Sequence, residues 1–247
     1  VHVTKRMARG LMMTHSYTWG HSIDNASGLR VTSNYASNRV DRGNSEHDVR
    51  HRYVMTYMYE LPFMKDQQGV VGKILGGWGV SGYTAFQTGV PFNITESTDR
   101  SLTGAGADRP DYIGGIVKFF DPRGVANVPG KLNAYFDGTG GGTSTAATSP
   151  FFRRVGSAAS WASGAGRFGS FGRNVFHGPG INNWDFTIRK NFKLYESHEL
   201  MFLTEFFNLF NHVQFNNPSG SISSSAFGRI TGAREPRLIQ MALRYTF

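Results

Sequence analysis

The sequence contains no cysteine among its 247 residues, which excludes a disulfide framework, a thiolate metal site and a cysteine nucleophile. It also lacks any apolar run of the ~18–20 residues that a membrane-spanning helix needs. A membrane-spanning strand needs only ~9–11 residues with alternate positions apolar, so a membrane barrel stays possible. The chain begins at Val1 without an initiator methionine or a visible export signal, and we expect it to be part of a longer protein.

Runs of helix-forming residues are nearly absent, whereas 31 glycines and an aromatic share of 14% favour strands and turns. The composition therefore predicts an all-β protein. The formal net charge of +9 suits nucleic acid, anionic lipid or an acidic substrate. Because the basic residues are dispersed among glycines and form no single stripe, we expect no nucleic acid partner.

The last eleven residues, 237–247, alternate between an apolar and a more polar face. Ile239, Met241, Leu243, Tyr245 and Phe247 share one face, and the residues between them share the other. One face suits lipid and the other suits a water-filled lumen. This segment is predicted to be a transmembrane strand.

Five further segments show a similar alternation, at about 11–23, 49–61, 78–90, 183–192 and 199–210. The six strands predict an antiparallel up-and-down transmembrane β-barrel segment, open and incomplete, with extracellular loops at about 24–48, 94–180 and 211–236. An even count places both chain ends on the periplasmic side. The loop at 94–180 contains a low-complexity run at 138–149. Its apolar patches Lys118-Phe-Phe120 and Tyr135-Phe136 indicate that parts of it pack against other residues.

Several motifs carry a resemblance to a known family. They include Tyr59-Glu-Leu-Pro-Phe63, Gly76-Gly-Trp-Gly-Val-Ser-Gly82, Gln87-Thr-Gly-Val-Pro-Phe92 and Glu205-Phe-Phe-Asn-Leu-Phe-Asn-His212, with shorter blocks at 16–25, 48–54, 172–174, 178–180, 184–186 and 190–192. In this order they resemble the C-terminal barrel region of TonB-dependent outer-membrane receptors, especially Oar-like receptors with a carboxypeptidase-regulatory-like domain.

The resemblance implies a barrel of roughly 22 strands closed by a plug, with solute uptake driven by TonB. The implied partners are the missing N-terminal strands and plug domain of the same receptor, TonB, the barrel-assembly machinery, and lipopolysaccharide or outer-membrane lipid. Tyr245 and Phe247 resemble the C-terminal aromatic signal that the assembly machinery reads. The implied localisation is the bacterial outer membrane.

No catalytic constellation is visible, so we expect no enzyme, no cofactor and no metal site. His47 and His51 are four apart, but their segment alternates as a strand, which separates them. Charges predicted to face the barrel interior are expected to pair with one another, with plug residues or with water: Glu60, Glu205, Arg189 and Arg244.

Other charged residues concentrate in the predicted outer loops, where the substrate-binding residues stay unknown. Asp41, Arg42, Asp48, Arg50 and Arg52 form either an ion-pair cluster or a ligand-binding edge. The arginines of the outer loops could bind lipopolysaccharide phosphates or an anionic nutrient: Arg30, Arg39, Arg42, Arg100, Arg109, Arg153, Arg154, Arg167 and Arg173. Two alternatives to a receptor remain open, namely a passive porin-like or adhesive barrel and a soluble secreted β-sandwich.

Overall fold

The computed structural model describes residues 1–27, 39–104, 108–123, 134–138, 149–156, 166–195 and 197–247. Arg30 and most of the low-complexity run lie outside these ranges. The elements are β1 (His2–Ala8), β2 (Leu11–Trp19), β3 (Ile23–Asp24), β4 (Gly43–Asn44), β5 (His51–Glu60), α1 (Gly69–Leu75), β6 (Trp78–Gln87), β7 (Pro91–Phe92), β8 (Asp111–Tyr112), β9 (Phe152–Arg153), β10 (Phe176–His177), β11 (Ile181–Tyr195), β12 (His198–Phe207) and β13 (Leu238–Thr246). No helix among the described residues has the length and apolar character to cross a membrane.

Seven strands form one antiparallel sheet in the order β1-β2-β5-β6-β11-β12-β13. Each strand pairs with the next one along this order, which confirms the predicted all-β, up-and-down architecture. The sheet does not close, because β1 and β13 are its two edges. Each backbone N–H or C=O group that lacks a hydrogen-bond partner in hydrocarbon costs roughly several kcal/mol. Both edges of the sheet therefore require partner strands in a membrane.

The sheet has seven strands where about six were predicted, because the structure adds β1. Lys5 stands among Val3 and Met7 on one side of this strand, so the segment shows no clear apolar alternation. A two-residue turn joins β1 to β2, and both of its residues, Arg9 and Gly10, have positive φ angles of 53° and 81°, as expected for a tight hairpin. Seven strands place the chain start at the end of the sheet that carries the long loops, and the chain end at the opposite end.

The strand register sets two faces of different chemistry, because directly paired residues point to the same side. The face that we call the apolar face carries Leu11, Met13, Tyr17, Trp19, Tyr53, Met55, Tyr57, Tyr59, Trp78, Val80, Phe86, Trp184, Phe186, Ile188, Phe192, Leu200, Phe202, Phe206, Ile239, Met241, Leu243 and Tyr245. The opposite face, which we call the polar face, carries most charged residues of the sheet. This register confirms the predicted alternation of the strands, and in β13 it confirms the predicted apolar side.

Polar residues on the apolar face are few, and one of them, Thr84, has a buried hydroxyl with no hydrogen-bond partner among the described residues. His15 interrupts this face and shares a 2.6 Å hydrogen bond between its Nδ1 atom and the Tyr53 hydroxyl. Lys190, a charged residue on the same face, is buried. Its contacts lie at the end of the sheet opposite the long loops.

The buried apolar core lies in the long loops and not in the sheet. Among the described residues, Ala85 is the only buried apolar residue of the seven-stranded sheet. The core cluster consists of Phe92, Ile94, Phe136, Phe152, Phe171, Ile222 and Phe227. We call the described parts of 20–50, 88–180 and 208–237 the outer-loop layer, and the end of the sheet beneath it the outer end. The opposite end is the periplasmic end.

Candidate functional site

Aromatic side chains from distant parts of the chain hold the outer-loop layer together. The rings of Phe136 and Phe227 meet edge-to-face at 5.1 Å between centroids, and those of Phe152 and Phe171 do so at 5.0 Å. Such pairs contribute about 0.5–1.5 kcal/mol each beyond the burial of their area. Segments 118–120 and 134–136 pair directly, since the Phe120 amide donates to the Tyr135 carbonyl at 2.8 Å. This confirms that the apolar patches of the long loop pack.

Arg173 links two segments of the outer-loop layer that lie far from it in the sequence. Its Nη1 atom donates to Asp24 Oδ1 at 2.5 Å and to the Asp41 carbonyl at 3.2 Å, and its Nη2 atom donates to Ser27 Oγ at 2.7 Å. Burial opposes ionisation of Asp24, but the hydrogen bonds from Arg173 and Ser27 outweigh it and lower the pKa of Asp24. The guanidinium group therefore fixes the loop after β2 against the segment before β10.

Arg109 extends the same network. Its Nη1 atom lies 3.1 Å from Asp41 Oδ1, and its other donors reach the carbonyls of Val40 and Phe171 at 2.6 and 3.0 Å. Both side chains of the Arg109–Asp41 pair are almost fully buried. A buried ion pair with every charge in contact with a partner is costly to break from one side.

Two further carboxylates are held ionised by nearby arginines. Arg167 binds Asp111 through two hydrogen bonds of 2.8 and 2.6 Å, and these bonds lower the pKa of Asp111 despite its burial. Burial raises the pKa of Asp48, but the Ser22 amide and Arg50, at 2.9 Å, lower it further than burial raises it. These paired aspartates carry charge at neutral pH and connect neighbouring loops.

Glu96 behaves differently from these aspartates. Burial raises the pKa of Glu96 in spite of the hydrogen bond from Arg100 at 3.1 Å. Arg154 lies 3.7 Å from the same oxygen, and the second carboxylate oxygen of Glu96 has no hydrogen-bond partner among the described residues. Ionisation of this carboxylate is therefore less favourable than that of Asp111.

The set of arginines predicted to bind lipopolysaccharide or an anionic nutrient mostly forms ion pairs inside the outer-loop layer. Five of its members pair with acids of the same chain, namely Arg100, Arg109, Arg154, Arg167 and Arg173, whereas Arg42 and Arg153 are exposed. The predicted cluster around residue 48 is divided, because Asp48 pairs with Arg50 and Asp41 pairs with Arg109. Sequence reasoning missed the acids Asp24, Glu96 and Asp111, most of which lie tens of residues from their partners.

A cleft of about 510 Å³ lies between the polar face of the sheet and the loop that precedes β13. The sheet contributes Arg52, Tyr83 and Asp185, and the loop contributes Gln214 and the adjacent pair Arg234 and Glu235. Gln214 ties the two sides together, because its Oε1 accepts from the Asn182 amide at 3.0 Å and its Nε2 donates to the Asn182 carbonyl at 2.5 Å. The walls of the cleft therefore carry charged side chains of both signs.

A second cavity of about 450 Å³ lies within the outer-loop layer. Amide side chains line it, among them Asn93, Asn174 and Asn217, together with Glu46 and His47. The Asn174 Oδ1 atom is buried and has no hydrogen-bond partner among the described residues. Both cavities offer hydrogen-bonding groups, and sequence reasoning identified neither, since their walls join segments with no shared motif.

The polar face below the cleft carries the charges predicted to point inward. Glu60 and Arg189 pair with each other at 3.4 Å, which confirms the predicted mutual pairing for these two residues. Glu205 accepts a hydrogen bond of 2.5 Å from Gln240, and Arg244 lies opposite Met201 in the strand register. Charged and polar side chains therefore recur along this face, as a water-filled lumen requires.

The described residues contain no group of three or more His, Cys, Asp or Glu side chains that could hold a metal ion. His47 is exposed beside the second cavity, whereas the ring of His51 shares a 2.8 Å hydrogen bond with the Tyr17 hydroxyl. The chemistry that the cleft and the cavity offer is hydrogen bonding and ion pairing. These interactions suit binding of a polar solute.

The two predicted assembly-signal residues lie at the periplasmic end of the sheet. The Tyr245 hydroxyl shares a 2.6 Å hydrogen bond with His198, and its ring stacks on Phe247 at 5.9 Å between centroids. Both side chains are exposed, Phe247 to 85%. Their recognition by the assembly machinery stays a prediction.

Comparison with known proteins identifies one family. Searches of the curated proteins and of the solved structures found no match. The family model described as outer membrane beta barrel domain matches residues 1–240, nearly the whole chain. This match agrees with the seven-stranded sheet and its apolar face, and it excludes the soluble β-sandwich alternative. The chain therefore belongs to the outer membrane beta barrel domain family and resides in the bacterial outer membrane.

Proposed function

We propose that the chain forms part of the wall and the outer-loop layer of a TonB-dependent receptor that takes up a polar solute. The observation that carries this proposal is the cored outer-loop layer together with the cleft of about 510 Å³ beside the polar face. A layer with its own aromatic core holds binding groups in fixed positions, which lowers the entropy cost of binding. The family resemblance of the motifs supports the same reading.

The open sheet supports a large barrel. Both edges need partner strands in a membrane, so the seven strands form only one part of a closed wall. Barrels well above eight strands enclose a lumen wide enough for water or a plug. A plugged lumen suits energy-dependent uptake. The missing N-terminal part of the same receptor would supply the remaining strands of the wall and the plug.

A passive porin-like barrel is the second candidate. The Glu60–Arg189 pair and the other charges of the polar face suit a lumen filled with water and open to diffusion. Such a protein needs neither a plug nor TonB. The two candidates therefore differ in their permeability and in their energy source.

The test uses the full-length protein reconstituted in liposomes, with osmotic swelling measured in a series of neutral sugars of increasing size. We expect swelling no faster than that of empty liposomes, because the plug closes the lumen. In parallel, the detergent-solubilised protein is expected to retain the purified periplasmic domain of TonB on an affinity column. The matched control is the same protein without its plug, which should swell and lose TonB binding.

Size-limited swelling by the intact protein without TonB retention would establish the porin-like candidate. An intact protein that neither swells the liposomes nor retains TonB would contradict both uptake readings and favour an adhesive barrel.

A further inference from the structure

The connection between β5 and β6, residues 62–77, exposes an unusual amount of apolar surface at the periplasmic end. Six large apolar side chains in these sixteen residues are more than half exposed: Phe63, Met64, Val70, Val71, Ile74 and Leu75. Val70 reaches 76% exposure. Contiguous apolar patches of this kind mark contact with a partner or a membrane. Either a partner protein or a lipid membrane is therefore expected to cover the segment.

Helix α1 of this segment is fixed to the apolar face of the sheet. Lys190 extends from that face between Ile188 and Phe192, and its Nζ atom donates to the carbonyl of Lys73 at 2.7 Å and to that of Gly76. The Trp78 indole, on the same face, donates to the Ile74 carbonyl at 2.9 Å. These bonds satisfy carbonyl groups that the end of a helix leaves free.

Gln67 provides a second attachment. Its Nε2 atom donates to the Asn191 carbonyl at 2.9 Å, and its Oε1 atom accepts from the Lys193 amide at 3.1 Å. The side chain is buried, and Gln67 itself has a positive φ of 53°. Two separate sets of bonds to β11 therefore hold the segment against the sheet.

Because α1 is bonded to Trp78 and Lys190 of the apolar face, the exposed patch lies beside the surface that meets lipid in this family. We propose that residues 62–77 form an interfacial anchor, with the apolar side chains inserted among the phospholipids of the periplasmic leaflet. A helix of seven residues is only about 10 Å long, so it lies in the interface and does not span the bilayer. Lys65 and Lys73 on the same segment can reach lipid phosphates.

This placement also accounts for Lys190. An ammonium group on the lipid side of a barrel strand is destabilising, and the cost falls near the interface. Here α1 covers the ammonium group and supplies two carbonyl partners, while the Phe192 ring lies 4.7 Å from the Nζ atom. The anchor thus removes a charge from the lipid surface and replaces it with apolar side chains.

The absence of cysteine from this chain permits a direct test. In the full-length protein carrying one introduced cysteine, V70C and I74C are labelled with bimane after reconstitution in phospholipid vesicles. Quenching is measured with brominated phospholipid and, separately, with aqueous iodide. The control is I116C in the outer-loop layer, a position with 86% exposure. Heat-modifiable gel mobility confirms that each labelled variant is folded.

We expect brominated lipid to reduce the fluorescence at positions 70 and 74 roughly twofold, with little effect of iodide, and the reverse at position 116. Strong iodide quenching at both helix positions would show that the segment faces the periplasm, and would overturn the proposal. Protection from both quenchers would show that protein covers the segment, and would overturn it as well. Neither result depends on solute uptake or on TonB.

Discussion

The seven-stranded sheet and the outer-loop layer are stabilised in opposite ways. The sheet is held by backbone ladders between consecutive strands, and its large apolar side chains are partly or fully exposed. The outer-loop layer has little regular structure, yet it contains nearly all the buried apolar residues of the described chain. Three of its buried aspartates, Asp41, Asp48 and Asp111, are paired with arginines.

The difference reflects two solvents. A surface in contact with lipid gains nothing from hiding apolar side chains, whereas loops in water must bury them to become ordered. The outer-loop layer therefore folds as a small water-soluble unit attached to a membrane sheet. The proposed recognition of a polar solute would therefore depend on the order of that unit.

The largest effect is expected from removing a ring of the outer-loop core. Phe136→Ala should destabilise the layer by about 3–5 kcal/mol, because a fully buried ring leaves a cavity. The measurement is limited proteolysis of the outer loops in the reconstituted full-length protein. The barrel itself should keep its heat-modifiable gel mobility.

The matched control is Leu243→Ala on the lipid side of β13, where 67% of the side chain is exposed. Protease resistance of the loops should not change in this variant. Equal loss of barrel mobility in both variants would show that the two regions fold as one unit.

The next effect concerns the two faces of the sheet. Leu243→Arg places a charge on the apolar face and should destabilise the barrel by about 2–4 kcal/mol if the site is near the bilayer centre. Ala242→Arg, one residue away on the polar face, should change stability little. Urea unfolding in lipid vesicles measures both, and equal destabilisation would contradict the assigned faces.

A smaller effect is expected from Arg173→Ala. This change removes the hydrogen bonds to Asp24 and Ser27, and because Asp24 keeps some contact with water, the cost should be about 2 kcal/mol. Arg153→Ala, at an exposed position, should cost less than about 0.5 kcal/mol. Hydrogen exchange of the amides around residue 24 distinguishes the two variants. Equal exchange in both would indicate that Arg173 holds nothing in place.

The outer-loop layer should also loosen in acid. The pKa of Asp24, Asp48 and Asp111 is lower in the folded chain than its ordinary value of 3.8. Their ionised forms therefore stabilise the layer above that value, and this stabilisation is lost as the pH falls through the folded pKa. Protease sensitivity of the loops should rise below about pH 4. Asp111→Asn should reduce this pH dependence, and an unchanged profile would argue against the Arg167 pairing.

The sheet was predictable because alternation is a local property. The side of Ile239, Met241 and Leu243 follows from the sequence alone, and the structure confirms it. Strand β1 was missed because Lys5 interrupts the alternation, and its place in the sheet depends on pairing with β2. Helix α1 was missed because its seven residues, in the connection between β5 and β6, are too few to show a helical period of apolar residues.

The outer-loop layer was not predictable beyond the statement that its apolar patches pack. The partner of Arg173 lies 149 residues away, and no local pattern connects Arg173 with Asp24. The interior charges were partly predictable, since Glu60 and Arg189 were expected on one face and pair across the intervening strand β6, at Gly79. The cleft walls come from loop and sheet segments that meet only after folding.

One measurement tests the central claim most directly, which is that one face of the open sheet meets lipid and the other meets water. Single cysteines along β13, from Leu238 to Thr246, are spin-labelled in the reconstituted full-length protein, and their accessibility to oxygen and to a water-soluble nickel complex is compared. We predict a period of two, with labels at 239, 241, 243 and 245 accessible to oxygen and those between them to nickel. Uniform accessibility, or the opposite alternation, would contradict the account.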